Sequence, residues 1–311
     1  MPVNVALIGL GHMGRIHLSK LCAFEGVAVS GIHDIDDTRA RECAEQYSVP
    51  VFPDHSDLID RSTCAIIATP TESHYSIARQ CLERGVHVFI EKPITVSPEE
   101  ARELVDMARL RGLVIQVGHL ERLNPALTRA LTYVKKPLLI ETRRISPFTG
   151  RSTDVDVVLD LMIHDLDLVL SLARGTVKDV SAEGICFVTD VYDTVNARIE
   201  FSDGCIASLT ASRVAAYRER SIIIYEDKST FYIDLMQGKL LTVTSSGNAK
   251  TDVTEFTCDQ MDPVKDELLQ FVTAAAGNGM PSVSGTDGLK ALELANRIRN
   301  YIAGKHGAAH Q

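Results

Sequence analysis

The chain has 311 residues, 45% hydrophobic and 23% charged, with a formal net charge of −9. That length suffices for two domains with a core each, and an acidic balance without blocks of like charge argues against binding nucleic acid through bulk electrostatics. No apolar run reaches the ~18 residues of a membrane span, the N-terminus lacks a basic signal region, and seven scattered cysteines without CxxC or zinc spacing fit reduced thiols in the cytoplasm and no metal site.

The first predicted element is the strand "VNVALIGL", which runs into Gly9-x-Gly11-x-x-Gly14 at the head of a helical pattern, 13–25. GxGxxG gains its meaning from that context. Gly9 permits the tight turn, Gly11 lets backbone approach a pyrophosphate, and Gly14 lets helix pack on strand. The helix start, with His12 and Met13 at its head, offers amide donors to phosphate. The second strand, "VAVSGIHD", ends at Asp34, 20 residues after Gly14, where an acid binds the ribose hydroxyls of a dinucleotide and repels a 2′-phosphate. NAD is therefore expected in preference to NADP. After a helix over 38–47, the strand "CAIIATP" ends at Thr69 and Pro70, and His74 either caps the helix 73–84 or lines a crevice.

The strand "VHVFIEKP" delivers Glu91 and Lys92 to the same sheet edge, where open parallel sheets bind ligands. A lysine there suits proton transfer. The helix 98–111 carries Ser97 as N-cap, Pro98 in its first turn and Gly112 at its end, and "LVIQVGH" follows as a fifth strand. Continuous apolar strands alternating with helices predict an α/β, doubly wound parallel sheet over residues 1–120, a dinucleotide-binding Rossmann domain.

Beyond residue 120 the pattern changes. "ERLNPALTRALTYV" reads as one helix, and alternating strands follow within 138–148, 177–188, 194–213, 220–235 and 239–246, with a hairpin turn at "SDG", 202–204. Helices over 157–173, 263–276 and 286–303 complete a second, α+β domain over 121–311 with a large, mostly antiparallel sheet. An uncovered face of that sheet would suit a homodimer or homotetramer. On the helix "VVLDLMIHDLDLVLSLA" the residues Asp160, His164, Asp167 and Ser171 fall at i, i+4, i+7 and i+11, one polar stripe on an otherwise apolar helix. Such a stripe either faces water or lines a cleft in which a carboxylate steadies an imidazole for proton transfer.

"GLGHMG", "ATPTESHYSIA", "EKPITVS", "GHLERLNPA", "LDLMIHDLDL" and the closing "DPVKDELLQF" and "VSGTDGLKALELA" together resemble the Gfo/Idh/MocA oxidoreductases over essentially the full length. The resemblance implies that Lys92 contacts the reacting hydroxyl and that Asp160 and His164 form the family's D-x-x-x-H pair, with His164 as base. It also implies that Thr69, Pro70 and His74 lie near the dinucleotide, that Asp34 holds its ribose, and that Asn124 and Pro125 open the second domain. The stripe would then face the nicotinamide, with Lys92 supplied by the other domain. An imidazole with an ordinary pKa of about 6.5 suits removal of a hydroxyl proton. "DVDVVLDLMIHD" has Asp and Val where many members have glycines, so the substrates of the inositol and glucose enzymes do not carry over.

"ERLNPA", "RRISPFTGR" and "DVDVVLDLMIHDLDL" resemble the subgroup that oxidises the 3-hydroxyl of UDP-N-acetylglucosamine. Its diphosphate would need local arginines, and Arg122, Arg144 and Arg151 are the expected substrate contacts. Arg143 and Arg144 point to opposite faces of a strand, so at most one of them serves. Against this nucleotide-sugar dehydrogenase stand another NAD(P)-dependent polyol or sugar dehydrogenase and a non-catalytic NAD-binding sensor. A sensor has no need of Lys92, Asp160 and His164 together.

Overall fold

The computed structural model describes residues 2–150, 153–247, 249–258 and 262–309, with backbone alone for 306–309. The chain divides into two compact units, one of residues 1–120 with 262–289 and one of 121–261 with 290–311. The expected Arg151 contact lies outside the described residues.

In the first unit the chain runs β1 (Val3–Ile8), α1 (His12–Leu21), β2 (Val27–His33), α2 (Asp37–Tyr47), α3 (His55–Ile59), β3 (Cys64–Ile67), α4 (Thr71–Glu83), β4 (His87–Ile90), α5 (Pro98–Arg111) and β5 (Ile115–Val117). The sheet is wholly parallel with the order β2-β1-β3-β4-β5. β3 is buried along its whole length, which is why it reads as an unbroken apolar run rather than an alternation. The chain order reverses at β1, so a crevice opens beyond the carboxyl ends of β1 and β3. α5 starts as its sequence predicts. Ser97 accepts from the Glu100 amide, the Glu100 carboxylate accepts from the Ser97 amide, and Gly112 ends the helix at φ +66°.

The second unit opens with a 3₁₀ turn, Leu120–Leu123, and α6 (Pro125–Leu131). The single helix expected over 121–134 is therefore two pieces. Pro125 cannot continue a preceding helix but fits a first turn, and Asn124 caps it by accepting from the Ala126 amide. Then come β6 (Leu139–Ile145), a π-helical turn (Val158–Met162), α7 (Ile163–Leu172), β7 (Val177–Ile185), β8 (Thr194–Phe201), β9 (Ile206–Ser212), β10 (Glu219–Tyr225), β11 (Ser229–Asp234), β12 (Lys239–Gly247) and β13 (Lys250–Thr257). The eight-stranded sheet has the order β13-β12-β11-β10-β6-β9-β8-β7, antiparallel except where β6 meets β9. In β8, Val195, Ala197, Ile199 and Phe201 are buried, and they join a core with Met162, Leu166 and Val169 from the helical layer.

α8 (Pro263–Ala275) and the start of α9 (Gly285–Ala309) belong to the first unit, which corrects the expected division at residue 121. The reason is apolar. Leu268, Phe271 and Val272 complete the core around Phe89, whose ring meets that of Phe271 edge-on at 5.8 Å. Gln116 also donates to the Glu267 carbonyl at 2.9 Å.

In the second unit, Arg144 of β6 is 3% exposed. It donates to both Asp165 oxygens at 2.8–3.1 Å and to Glu121 at 2.8 Å. Burial opposes its charge, and the two carboxylates more than offset this, so Arg144 holds its proton more tightly than an ordinary arginine. Arg144→Met would leave two buried carboxylates without their cation and should destabilise the fold by about 3–5 kcal/mol. Urea denaturation tests this, and an unchanged midpoint would show that the network contributes nothing.

Candidate active site

The glycine turn is built by close approach. At Gly9, φ is +92° and a side chain would meet the Ala68 carbonyl and the Thr69 nitrogen at 2.6–2.7 Å. A Cβ on Gly14 would lie 2.0 Å from the Gly9 oxygen, whereas one on Gly11 would meet nothing within 4 Å. Gly11 thus borders open space at the head of α1, where no side chain caps the helix. The first amides of a ten-residue helix are left to an anion. His12 and Met13 occupy its first two positions.

Asp34 terminates β2 and is 8% exposed. It accepts from the Leu10 amide at 2.6 Å and the Asp36 amide at 2.9 Å, and so ties the glycine turn to the neighbouring strand. Arg39 of α2, which the sequence did not single out, reaches both Asp34 oxygens at 3.1–3.3 Å and Asp36 at 3.2 Å. Burial pushes the Asp34 carboxyl up, but the two amides and Arg39 outweigh it and hold it below its ordinary value. A cavity of about 610 Å³ runs along this edge past Gly9, Gly11, Asp34, Ile35, Thr69 and Pro70. Uncapped amides, open space at Gly11 and an ionised acid at the far end fit a dinucleotide.

Glu91, expected at the cofactor, faces the protein instead. Its Oε1 lies 2.6 Å from His17 Nε2 on α1, and its Oε2 accepts from its neighbour's amide, Lys92 N, at 3.4 Å. Gly118 leaves room for that carboxylate, since a Cβ there would come within 2.9 Å of Oε2. Burial pushes the Glu91 carboxyl up, yet the His17 hydrogen bond and the nearby Lys92 charge leave it below its usual value. His17 has no motif of its own in the sequence reading. Its one signal is the place three residues after Gly14, which turns it onto the buried face of α1.

His74 does not cap α4, and its ring lies just behind the wall of the large cavity, against Thr69. It is 1% exposed, with Nε2 2.9 Å from the Thr69 carbonyl and Nδ1 2.9 Å from the Pro93 carbonyl. The imidazole thereby clamps together the loops after β3 and β4, and Lys92, half-buried, stands beside the second loop.

In the second unit the stripe divides by burial. Asp160 and His164 are half-buried, Asp167 is buried, and Ser171 is exposed with its hydroxyl donating to the Leu168 carbonyl. Asp160 lies in the π-helical turn and His164 in the first turn of α7. Such single π turns are frequent at functional sites. Asp167 receives both forks of Arg122 at 2.6–2.7 Å. The expected substrate contacts Arg122 and Arg144 are therefore engaged by Asp167 and by Asp165 with Glu121, because a buried guanidinium must be matched by carboxylates. These pairs tie α7 to the 3₁₀ turn and to β6. Arg143 is exposed, on the opposite side of β6.

The glycine geometry separates folding from binding. Gly14→Ala should destabilise the first unit by about 1–3 kcal/mol through overpacking. Gly11→Val should melt as the parent does, yet lose dinucleotide affinity at least tenfold. Thermal melts and NADH fluorescence titration measure both, and full binding by Gly11→Val would remove the turn from the cofactor site.

Residues 3–119 match the oxidoreductase family with an NAD-binding Rossmann fold, and residues 141–255 match the GFO/IDH/MocA C-terminal domain. The UDP-N-acetylglucosamine 3-dehydrogenase of Acidithiobacillus ferrooxidans is 33% identical over 309 residues, covering 96% of each chain. A solved structure of that enzyme superposes with a TM-score of 0.91 over 97% of this chain and 98% of its own. The myo-inositol 2-dehydrogenase of Thermotoga maritima is 23% identical over 97% of each chain. Levoglucosan dehydrogenase in complex with NADH and levoglucosan, 21% identical with a TM-score of 0.89 over 98% of each chain, shares the fold. With both domains matched in order, the chain belongs to the GFO/IDH/MocA family of oxidoreductases, with an NAD(P)-binding Rossmann domain followed by the family's C-terminal domain.

Proposed function

We propose that the protein oxidises the 3-hydroxyl of UDP-N-acetylglucosamine to a ketone, with NAD as the preferred acceptor. The observation that carries this reading is the 33% identity to an enzyme of that activity over 96% of both chains. Held along the glycine turn and Asp34, NAD would supply the acceptor for the hydride of the carbinol carbon. His164 takes the proton from the hydroxyl oxygen, Lys92 contacts that hydroxyl and assists the transfer, and Asp160, one turn before His164, orients the imidazole or holds a neighbouring substrate hydroxyl. The family likeness also leaves a second reading, oxidation of a free polyol, and the inositol enzymes at lower identity favour it over the same span. For the cofactor, Arg39 is paired with Asp34 and Asp36 at the end of β2, and Asp37 adds a further acid in the first turn of α2, a balance that favours NAD over a 2′-phosphate. Self-association through the outer face of the eight-stranded sheet, where Tyr232, Leu241 and Val253 are exposed, completes the proposal. Among the described residues no helix is long and apolar enough to cross a membrane, and the cytoplasm remains the proposed location.

Mixing the protein with NAD and UDP-N-acetylglucosamine, with an aminotransferase and glutamate to withdraw the keto product, should give steady NADH absorbance. His164→Ala and Lys92→Ala should each lower that rate by about 10²–10⁴-fold while NAD still binds. Undiminished turnover in either variant removes that residue from the mechanism, and activity only on inositols or free sugars selects the second reading. Asp34→Ala should shift the ratio of kcat/KM values toward NADP, and an unaltered ratio would count against its ribose role.

A further inference from the structure

In the second unit Asp160 borders a cavity of about 170 Å³ whose wall includes Arg144, Arg213, Arg218 and Arg220, with Phe148 at the side. The four guanidiniums are not equivalent. Arg144 is spent on Asp165 and Glu121. Arg213 is buried, 3.3 Å from Asp193 and bonded to the Val155 carbonyl. These two build the wall. Arg218 and Arg220 are exposed. The ion pair of Arg220, 3.5 Å to Glu121 Oε1, goes to an oxygen that already accepts from Arg144 at 2.8 Å.

Desolvation and then the like charges of Arg144 and Arg218 outweigh Glu121 and pull the Arg220 pKa below its ordinary value. Because Arg220 shares its carboxylate with Arg144, and Arg218 stands exposed beside it, these two guanidiniums are the ones placed to meet an incoming anion. Phe148, 39% exposed, adds an aromatic surface beside it.

We propose that Arg218 and Arg220 hold the diphosphate of a nucleotide-sugar substrate, so that they, rather than Arg122 or Arg144, select a charged nucleotide sugar over a free one. The inference rests on the nucleotide-sugar reading above. Two adjacent planar forks suit the oxygens of two linked phosphoryl groups, whereas a polyol offers them no charge. The cavity, about 170 Å³, has room for a diphosphate, which would leave the sugar to the Asp160 side.

The test uses the full chain with Arg218→Gln, Arg220→Gln and the double variant. KM for UDP-N-acetylglucosamine, affinity for inorganic pyrophosphate by calorimetry, and NADH binding by fluorescence are measured. Each single variant should raise KM about 10- to 100-fold with kcat little changed, weaken pyrophosphate to a similar degree and leave NADH binding intact. Arg143→Gln, which removes the same charge from the opposite side of β6, should alter none of these. A double variant that keeps the parental KM and pyrophosphate affinity overturns the assignment even if the enzyme oxidises the nucleotide sugar. Conversely, a parent inactive on the nucleotide sugar whose pyrophosphate binding disappears in the double variant would refute the substrate reading and leave the anion site standing.

Discussion

A guanidinium buried away from water must be surrounded by acceptors, and in the second unit that requirement falls on Arg144. Its two carboxylate partners come from separate elements, Glu121 from the 3₁₀ turn and Asp165 from α7, so one side chain of β6 fixes both against the sheet. Arg122 and Asp167, next to these partners in sequence, repeat the link. An apolar substitute of similar volume often matches or exceeds the stability of such a network, so we read its value as one of register. With Asp165 and Asp167 both pinned, α7 cannot rotate about its axis, and the orientation of His164 follows.

The first unit reaches precision by another route. Gly9 and Gly14 approach backbone so closely that no side chain could stand there, and the turn is shaped by what is missing. Around it, single polar side chains join loops that share no strand. Asp34 links β2 to the glycine turn, His17 holds Glu91 beside Lys92, and His74 bridges the carbonyls of Thr69 and Pro93. His17 and His74 are buried behind the strand ends, where each sets the place of a backbone segment, while Asp34 both ties its loop and lines the cavity. A loop that must present a side chain in one pose gains more from such support than from further apolar packing.

The parallel sheet, the glycine turn and the caps of α5 were legible because each depends on neighbours in sequence. The split of residues 121–134 into two helical pieces is written in Asn124-Pro125, a cap followed by a residue that cannot continue the preceding turn. β13 escaped because "KTDVTEFT" is almost wholly exposed and has no apolar alternation to mark it. The arginines show the deeper limit. A charge pattern does not distinguish a guanidinium consumed by buried carboxylates from one left facing a cavity, since the difference lies in partners 21 to 45 residues away. For the same reason the sequence marks Glu91 and His74 as polar groups near the strand ends without showing that His17 and the Thr69 and Pro93 carbonyls are their partners.

The return of residues 262–289 to the first unit has a meaning for biosynthesis. Leu268 and Phe271 complete the core around Phe89, yet residues 121–261 are made before them. At translation rates of about 5–20 residues per second, the parallel sheet waits on the order of ten seconds for its final covering helix. The nascent first unit must spend that interval with one apolar face unsealed while the later strands emerge. Order of synthesis and order of completion are thus inverted, and the part begun first is among the last to become native.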